Sequence, residues 1–354
     1  MFALVLLSLF GGAAAIGSLQ ELVIMDEWQG NPINAPNWGP ISMSSDGSKA
    51  TAASMHGGSD DFAWVSIDGG ETWTKTSEEA RDVVITPDGS KFVAVVTGTV
   101  GKKIRLSTDD GATWTDTGSP DTVSWGSLAT NGDGTKMAAL GDTNSVYLSS
   151  DGGATWTAAG VTQQEWATVD MSADGTTIAL GVNGGKIWIS SDGGSTFTEA
   201  AASLETKWRA IDMTPDGSKI AAASQQGGVW VSSDGGTTWT EGIPADHKVF
   251  RGVAISDDGM TIVTNNCCNG ENWISYDGGA SFSYMHWRLN RYWEKIALSG
   301  DGSKVLCTSS GDGGRIYMGK ATTTTVVTST MTNTTTVPTM TTTVTVTSSV
   351  TMTE

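Results

Sequence analysis

Positive charge, cysteine and long apolar segments are all scarce in this sequence. Its 20 Lys and Arg against 38 Asp and Glu leave a net charge of −18 at pH 7. Because phosphate neutralisation needs a basic footprint, nucleic acid is excluded as an expected partner. Three cysteines, two of them the neighbours Cys267 and Cys268, exclude a disulfide scaffold. A bridge between these two, a bridge from either to Cys307, or three small buried residues all remain open.

The apolar run at residues 2–10 is too short to span a bilayer, and small residues follow it at 11–15. We interpret residues 1–17 as a secretory signal peptide, with a short buried strand as the alternative. No other segment is apolar over enough residues to cross a membrane. The sequence therefore predicts a secreted or cell-surface protein, and a plastid or thylakoid lumen is the alternative location.

Glycine and tryptophan are abundant, and two interleaved motifs contain many of them. The first motif has the form [ST]-x-D-G-[ST]-K and recurs every 41 to 45 residues, with its aspartate at Asp46, Asp88, Asp133, Asp174, Asp216, Asp258 and Asp301. The second has the form S-x-D-x-G-x-[TS]-[WF] and begins at Ser66, Ser107, Ser149, Ser190, Ser232 and Ser275. This period is typical of a four-stranded propeller blade, with strands named A to D from the centre outwards.

Both motifs are expected to be turns. A D-G pair supplies the positive φ of a tight hairpin, and an aspartate side chain accepts hydrogen bonds from the amides of its own turn. Their aspartates are therefore expected to be structural and not catalytic. Tryptophans recur in phase on strands A, C and D, which predicts packing between blades and not a ligand site.

The seventh repeat lacks the second motif and strand D. Trp28 lies 18 residues before Asp46, as Trp156 lies 18 residues before Asp174. We therefore expect residues 21–29 to supply the missing strand, which would hide the open edge of the ring. The predicted fold is all-β: a seven-bladed β-propeller of four-stranded antiparallel blades over residues 18–320, its last blade closed by the N-terminal strand.

The second motif, for example from Ser66 to Trp73, resembles the Asp-box (BNR) repeats of sialidases, sortilin-type receptors and xyloglucanases. In blade number and size the chain is most similar to photosystem II assembly and stability factors. The resemblance spans roughly residues 20–320 and implies a propeller, which hosts hydrolases, receptors and assembly factors alike. The Arg-Ile-Pro motif of sialidases is absent before Ser66, and the chain is acidic where an assembly factor is expected to carry a basic patch.

Repeated turns occupy one face of such a ring, so function is expected on the opposite, top face. The residues seven positions before the turn aspartates lie there beside the central channel, and they are Gly39, Arg81, Gly126, Ala167, Arg209, Arg251 and Glu294. Arginines ringing an opening can clamp a carboxylate or phosphate. The alternative is that they pair with Asp82, Asp170, Asp212 and Glu294 to solvate the channel mouth.

A second candidate surface is the loop that enters the seventh repeat. Residues 284–292 form the most basic and aromatic stretch of the chain. Trp287 lies at none of the positions at which tryptophan recurs in strands A, C and D. Aromatic and arginine side chains together are typical of sugar- or peptide-binding surfaces. The ligand-binding candidates here are His286, Trp287, Arg288, Arg291 and Tyr292, unless the loop only folds over the channel.

The sequence does not decide whether the protein is an enzyme, and a non-catalytic binding or scaffold protein is the leading hypothesis. It would act as a monomer on an acidic glycan or protein segment, with no cofactor and no metal. A photosystem II assembly factor is the second hypothesis. A sialidase-like hydrolase is the third, with Tyr292 as nucleophile, Glu294 activating it, and Asp60 or Asp61 as acid. The Thr-rich residues 321–354 are predicted to be a disordered, O-glycosylated stalk.

Overall fold

The computed structural model describes residues 37–351 except 56–60, 97–101, 143, 201–202, 247–248, 269, 286–291, 311–313, 321, 324–326, 333–338 and 345–349. Every regular element in this part is a β-strand, and no helix that could cross a membrane is found in it. The predicted closing strand at residues 21–29 lies outside the described residues, and so do the predicted signal peptide and Trp28.

Each repeat forms an antiparallel sheet in chain order. The first repeat has β1 Trp38–Met43, β2 Ala50–Ser54, β3 Phe62–Ser66 and β4 Thr74–Ile85, and β4 continues as the inner strand of the second, with β5 Phe92–Val96, β6 Lys103–Ser107 and β7 Thr115–Asp116. The third has β8 Trp125–Thr130, β9 Met137–Gly141, β10 Ser145–Ser149 and β11 Thr157–Ala158. The fourth has β12 Trp166–Met171, β13 Ile178–Gly185, β14 Ile187–Ser190 and β15 Thr198–Glu199.

The remaining repeats follow the same order. The fifth has β16 Thr206–Met213, β17 Ile220–Ser224, β18 Val229–Ser232 and β19 Thr240–Ile243, and the sixth has β20 Phe250–Ile255, β21 Ile262–Asn266, β22 Asn272–Ser275 and β23 Ser283–Met285. The seventh has β24 Tyr292–Leu298, β25 Lys304–Ser310 and β26 Ile316–Lys320. In the tail, β27 Thr322–Thr323 pairs with β30 Val350–Thr351, and β28 Val327–Thr332 pairs with β29 Thr339–Val344. The stalk and its glycosylation stay predictions.

The core lies between neighbouring sheets, as the tryptophan columns predict. Trp208 and Trp293 are among the largest fully buried side chains, and Phe250 of the sixth repeat packs with Val229 and Ile243 of the fifth. The strand-C tryptophans such as Trp230 are only half-buried. All-β propeller architecture is thus confirmed.

Hydrogen bonds join the seventh repeat to the first. The Gly300 amide donates to the Ser45 carbonyl at 2.7 Å, and the Trp38 indole donates to the Gly314 carbonyl at 3.0 Å. The Thr308 hydroxyl donates to the Gly39 carbonyl at 2.7 Å. Seven inner strands therefore close into a ring within the described residues, while the fourth strand of the last blade stays a prediction.

Candidate functional site

A β-bulge interrupts each of the seven inner strands at one position. The pairing register shifts between Trp38 and Ile41, Ala80 and Asp82, Trp125 and Leu128, Trp166 and Thr168, Trp208 and Ala210, Phe250 and Gly252, and Trp293 and Ile296. Each bulge contains one residue of the column predicted from the sequence to ring the channel. A bulge leaves its extra residue unpaired and re-aims that side chain, so Arg209, Arg251 and Glu294 can each follow a buried aromatic residue and stay only half-buried.

Arg251 and Glu294 form an ion pair across neighbouring repeats. Arg251 Nη1 lies 2.5 Å from Glu294 Oε2, and the Ser310 hydroxyl donates to Glu294 Oε1 at 2.6 Å. The side chain of Arg251 is 43% exposed and that of Glu294 is 21% exposed, so the pair lies at the rim and not in the core. Both carboxylate oxygens of Glu294 are engaged.

Arg209 stands beside this pair but has no carboxylate partner within ion-pair distance in the described part of the chain. Its Nε donates to Gln225 Oε1 at 3.0 Å, and its Nη2 donates to the same oxygen. Burial, together with the positive charge of Arg251, lowers the pKa of Arg209. Of these two neighbouring guanidinium groups, only that of Arg251 is paired with a carboxylate among the residues that the structure describes.

Lys295 adds a third cation that the sequence column does not contain. The bulge in β24 holds two residues, Glu294 and Lys295, where that of β16 holds only Arg209. Lys295 Nζ donates to the Arg209 carbonyl at 2.9 Å, reaching from the seventh repeat to the fifth. Burial lowers the pKa of Lys295, and the charge of Asp82 opposes this shift. The adjacent charges Glu294 and Lys295 were the sequence feature from which it could have been found.

The channel aspartates mostly bind backbone amides and not the arginines. Asp82 Oδ2 accepts the Leu128 amide at 3.1 Å, and Asp212 Oδ2 accepts the Ile255 amide at 2.7 Å, each from the following repeat. Burial raises the pKa of Asp82 to about 6 and that of Asp212 to about 7, and burial with the Asp212 charge raises that of Asp170. Of the pairings offered as the alternative, Arg251 with Glu294 is observed as an ion pair, and Arg81 interacts electrostatically with Asp82.

The other predicted site residues are not drawn into this cluster by any observed contact. Arg81 is exposed beside Asp82, and Tyr292, two residues before Glu294 in β24, is 60% exposed. Asp61 is half-buried before β3. Asp60, His286, Trp287, Arg288 and Arg291 lie outside the described residues. In the described part, no group of three side chains suited to a metal ion is found.

The Asp-box carboxylates accept hydrogen bonds from amides and hydroxyls of their own turns. In the first box, Asp68 Oδ1 accepts the Ser66 hydroxyl at 2.8 Å and the Thr72 amide at 2.9 Å, while Oδ2 accepts the Thr72 hydroxyl at 2.5 Å. The same bonds recur in the other five boxes. Their predicted structural role is confirmed. Among the cysteines, Cys267 is bonded to Cys268, and Cys307 is a buried free thiol.

Comparisons with known proteins agree with this architecture. A sortilin family model, described as Sortilin, neurotensin receptor 3, matches residues 185–353, and a BNR/Asp-box repeat model matches residues 64–75. No curated protein sequence matches the chain.

Two solved structures share the fold. The GH74 xyloglucanase from Xanthomonas campestris aligns with a TM-score of 0.65 at 14% identity, over 80% of this chain and 52% of that one. The chain thus spans about half the length of that enzyme. YCF48 from Cyanidioschyzon merolae aligns with a TM-score of 0.59 at 15% identity, over 80% of this chain and 94% of that one. Together with the six Asp boxes, these matches show that the chain has a β-propeller fold and contains BNR/Asp-box repeats.

Proposed function

We propose that this propeller is a non-catalytic, secreted or cell-surface binding or scaffold protein that recognises an acidic glycan or protein segment at the top of its channel. The observation that carries the proposal is the pair of neighbouring guanidinium groups, of which only that of Arg251 has a carboxylate partner among the described residues. Arg209 bonds only to a neutral carboxamide among the described residues, so a bound anion would supply its missing counter-charge. Trp287, which follows Met285 by two positions, is proposed as an aromatic contact of the same surface.

Binding of two polyanions tests this proposal: poly-L-glutamate for a protein segment and polygalacturonate for a glycan. Because the whole chain carries a charge of −18, unspecific attraction of a polyanion is not expected. Arg209→Gln should weaken binding at least about tenfold, which corresponds to roughly 1.4 kcal/mol, and Arg251→Gln should weaken it too. Lys102→Gln, at an exposed residue, is the control for a lost positive charge. If the double variant Arg209→Gln, Arg251→Gln binds both polyanions as tightly as wild type, the proposed site is wrong.

A photosystem II assembly role is the second candidate. It is favoured by the match to YCF48, because the alignment covers 80% of this chain and 94% of that one. Location separates the two candidates: a fluorescent fusion in a plastid or thylakoid lumen supports assembly, whereas export from the cell supports surface binding.

The sialidase-like mechanism gains little from the site geometry. A nucleophilic Tyr292 would need Glu294 as its activating base, yet both oxygens of Glu294 are engaged by Arg251 and Ser310. We expect no turnover of a fluorogenic sialoside between about pH 4 and about pH 7. Turnover that disappears in Tyr292→Phe and Glu294→Gln would replace the binding proposal with an enzyme.

A further inference from the structure

Glu294 has the contacts that a bound ligand carboxylate would make. Its two oxygens are held by different donors, a guanidinium at 2.5 Å and a hydroxyl at 2.6 Å. These donors belong to different repeats, Arg251 to the sixth and Ser310 to the seventh. We call this pair of donors the fork, and it is part of the channel wall. The fork is spaced for the two oxygens of one planar carboxylate.

The charges around Glu294 allow this carboxylate to be exchanged. Arg209, Arg251 and Lys295 contribute three cations to the cluster; Glu294 lies within ion-pair distance of Arg251, and the charge of Asp82 also acts on Lys295. Lys295 interacts electrostatically with Glu294. If Glu294 left Arg251, it would still face a cation, which lowers the cost of displacing it.

We propose that Glu294 is a built-in competitor at this site, and that the ligand is a carboxylate-bearing segment that displaces it from Arg251 and Ser310. The inference rests on the proposed function and specifies its ligand chemistry. One carboxylate of the ligand binds the fork, and a second acidic group of the same ligand can reach Arg209. A sulfate ester has tetrahedral oxygens and matches the fork less well.

The test compares wild type with Glu294→Gln and Glu294→Ala, using poly-L-glutamate and dextran sulfate as probes. Removing the competing charge should tighten poly-L-glutamate binding about three- to tenfold, a modest gain because the ion pair that is lost lies at a partly exposed rim. Dextran sulfate should bind more weakly than poly-L-glutamate at equal charge. Glu199→Gln is the matched control, because Glu199 is paired with Lys186 at 3.0 Å on an outer strand and should not change binding.

The outcomes separate the two proposals. If Arg209→Gln abolishes binding while both Glu294 variants bind no tighter than wild type, Glu294 is no competitor and the proposed function stands. Binding of dextran sulfate equal to or tighter than that of poly-L-glutamate would overturn the carboxylate preference. If neither wild type nor the Glu294 variants bind any probe, both proposals fail. The use of two substitutions, with melting curves for each, separates a loss of folding from a loss of competition.

Discussion

At the scale of single residues, identical side chains take opposite roles according to the backbone that presents them. Asp68 lies in a tight turn whose amides and hydroxyls surround its carboxylate, and these bonds lower its pKa even though its partial burial opposes the shift. Asp212 lies on an inner strand with one inter-repeat amide, and burial raises its pKa. Turn chemistry is local and could be predicted from the motif; channel burial depends on the assembled ring and could not.

Substitution of an Asp-box aspartate should lower stability without affecting ligand binding. Asp68→Ala removes three hydrogen bonds to a charged acceptor and leaves the Thr72 amide to water. We expect a loss of about 1–3 kcal/mol in the free energy of unfolding by urea. Asp142→Ala, at an exposed loop position, is the control and should change stability by less than about 0.5 kcal/mol. A loss of polyanion binding in folded Asp68→Ala would contradict this division of roles.

At the scale of elements, the sequence periodicity located the site column but not the geometry that makes it a site. The position seven residues before each turn aspartate was predicted correctly as a recurrent column, whereas the bulges at that position were not foreseen. Bulge length varies between strands, which is why Lys295 was missed. Arg81 belongs to the same column, yet no observed contact links it to Arg209 or Arg251, because equivalent positions on distant blades need not converge.

The lysine of the first motif has a role between elements that its local pattern did not reveal. Lys91 Nζ donates to the Asp133 carbonyl at 2.6 Å, and Lys304 Nζ donates to the Gly47 carbonyl at 2.8 Å across the seam of the ring. Lys49, Lys136 and Lys219 make equivalent bonds to the turn of the following repeat. These bonds link successive turns on the face opposite the arginine site.

Loss of the seam lysine should weaken ring closure. Lys304→Met keeps the aliphatic packing of the side chain but removes the charged donor to the Gly47 carbonyl, so we expect a loss of about 1–2 kcal/mol in unfolding free energy. Lys102→Met, at an exposed position, controls for the change in net charge. Urea unfolding measures both. Equal stability of the two variants would show that the seam is held by the Gly300 and Thr308 bonds without this lysine.

At the scale of the whole molecule, the turn aspartates and the buried channel aspartates have opposite effects on how the stability of the fold depends on pH. Turn hydrogen bonds lower the pKa of Asp174, Asp192 and Asp277 to about 2, so these residues stabilise the fold above pH 4, and their contribution is lost as the pH falls towards 2. Burial raises the pKa of Asp82 to about 6 and that of Asp212 to about 7. Folding then binds protons between about pH 4 and pH 7, so stability falls as the pH rises through this window.

We therefore expect the propeller to be most stable near pH 4 to 5 and to lose stability steadily towards neutrality. Asp212→Asn should flatten this decline, because an asparagine carbonyl can still accept the Ile255 amide and no longer ionises. Burial and the negative charge of Asp257 support this sign, because both raise the pKa of Asp212, whereas the hydrogen bond with Asp170 opposes the shift. Urea unfolding at several pH values measures the slope, with Asp142→Asn as the control. A wild-type stability that rises between about pH 5 and pH 7 would show that these carboxylates are ionised in the folded ring.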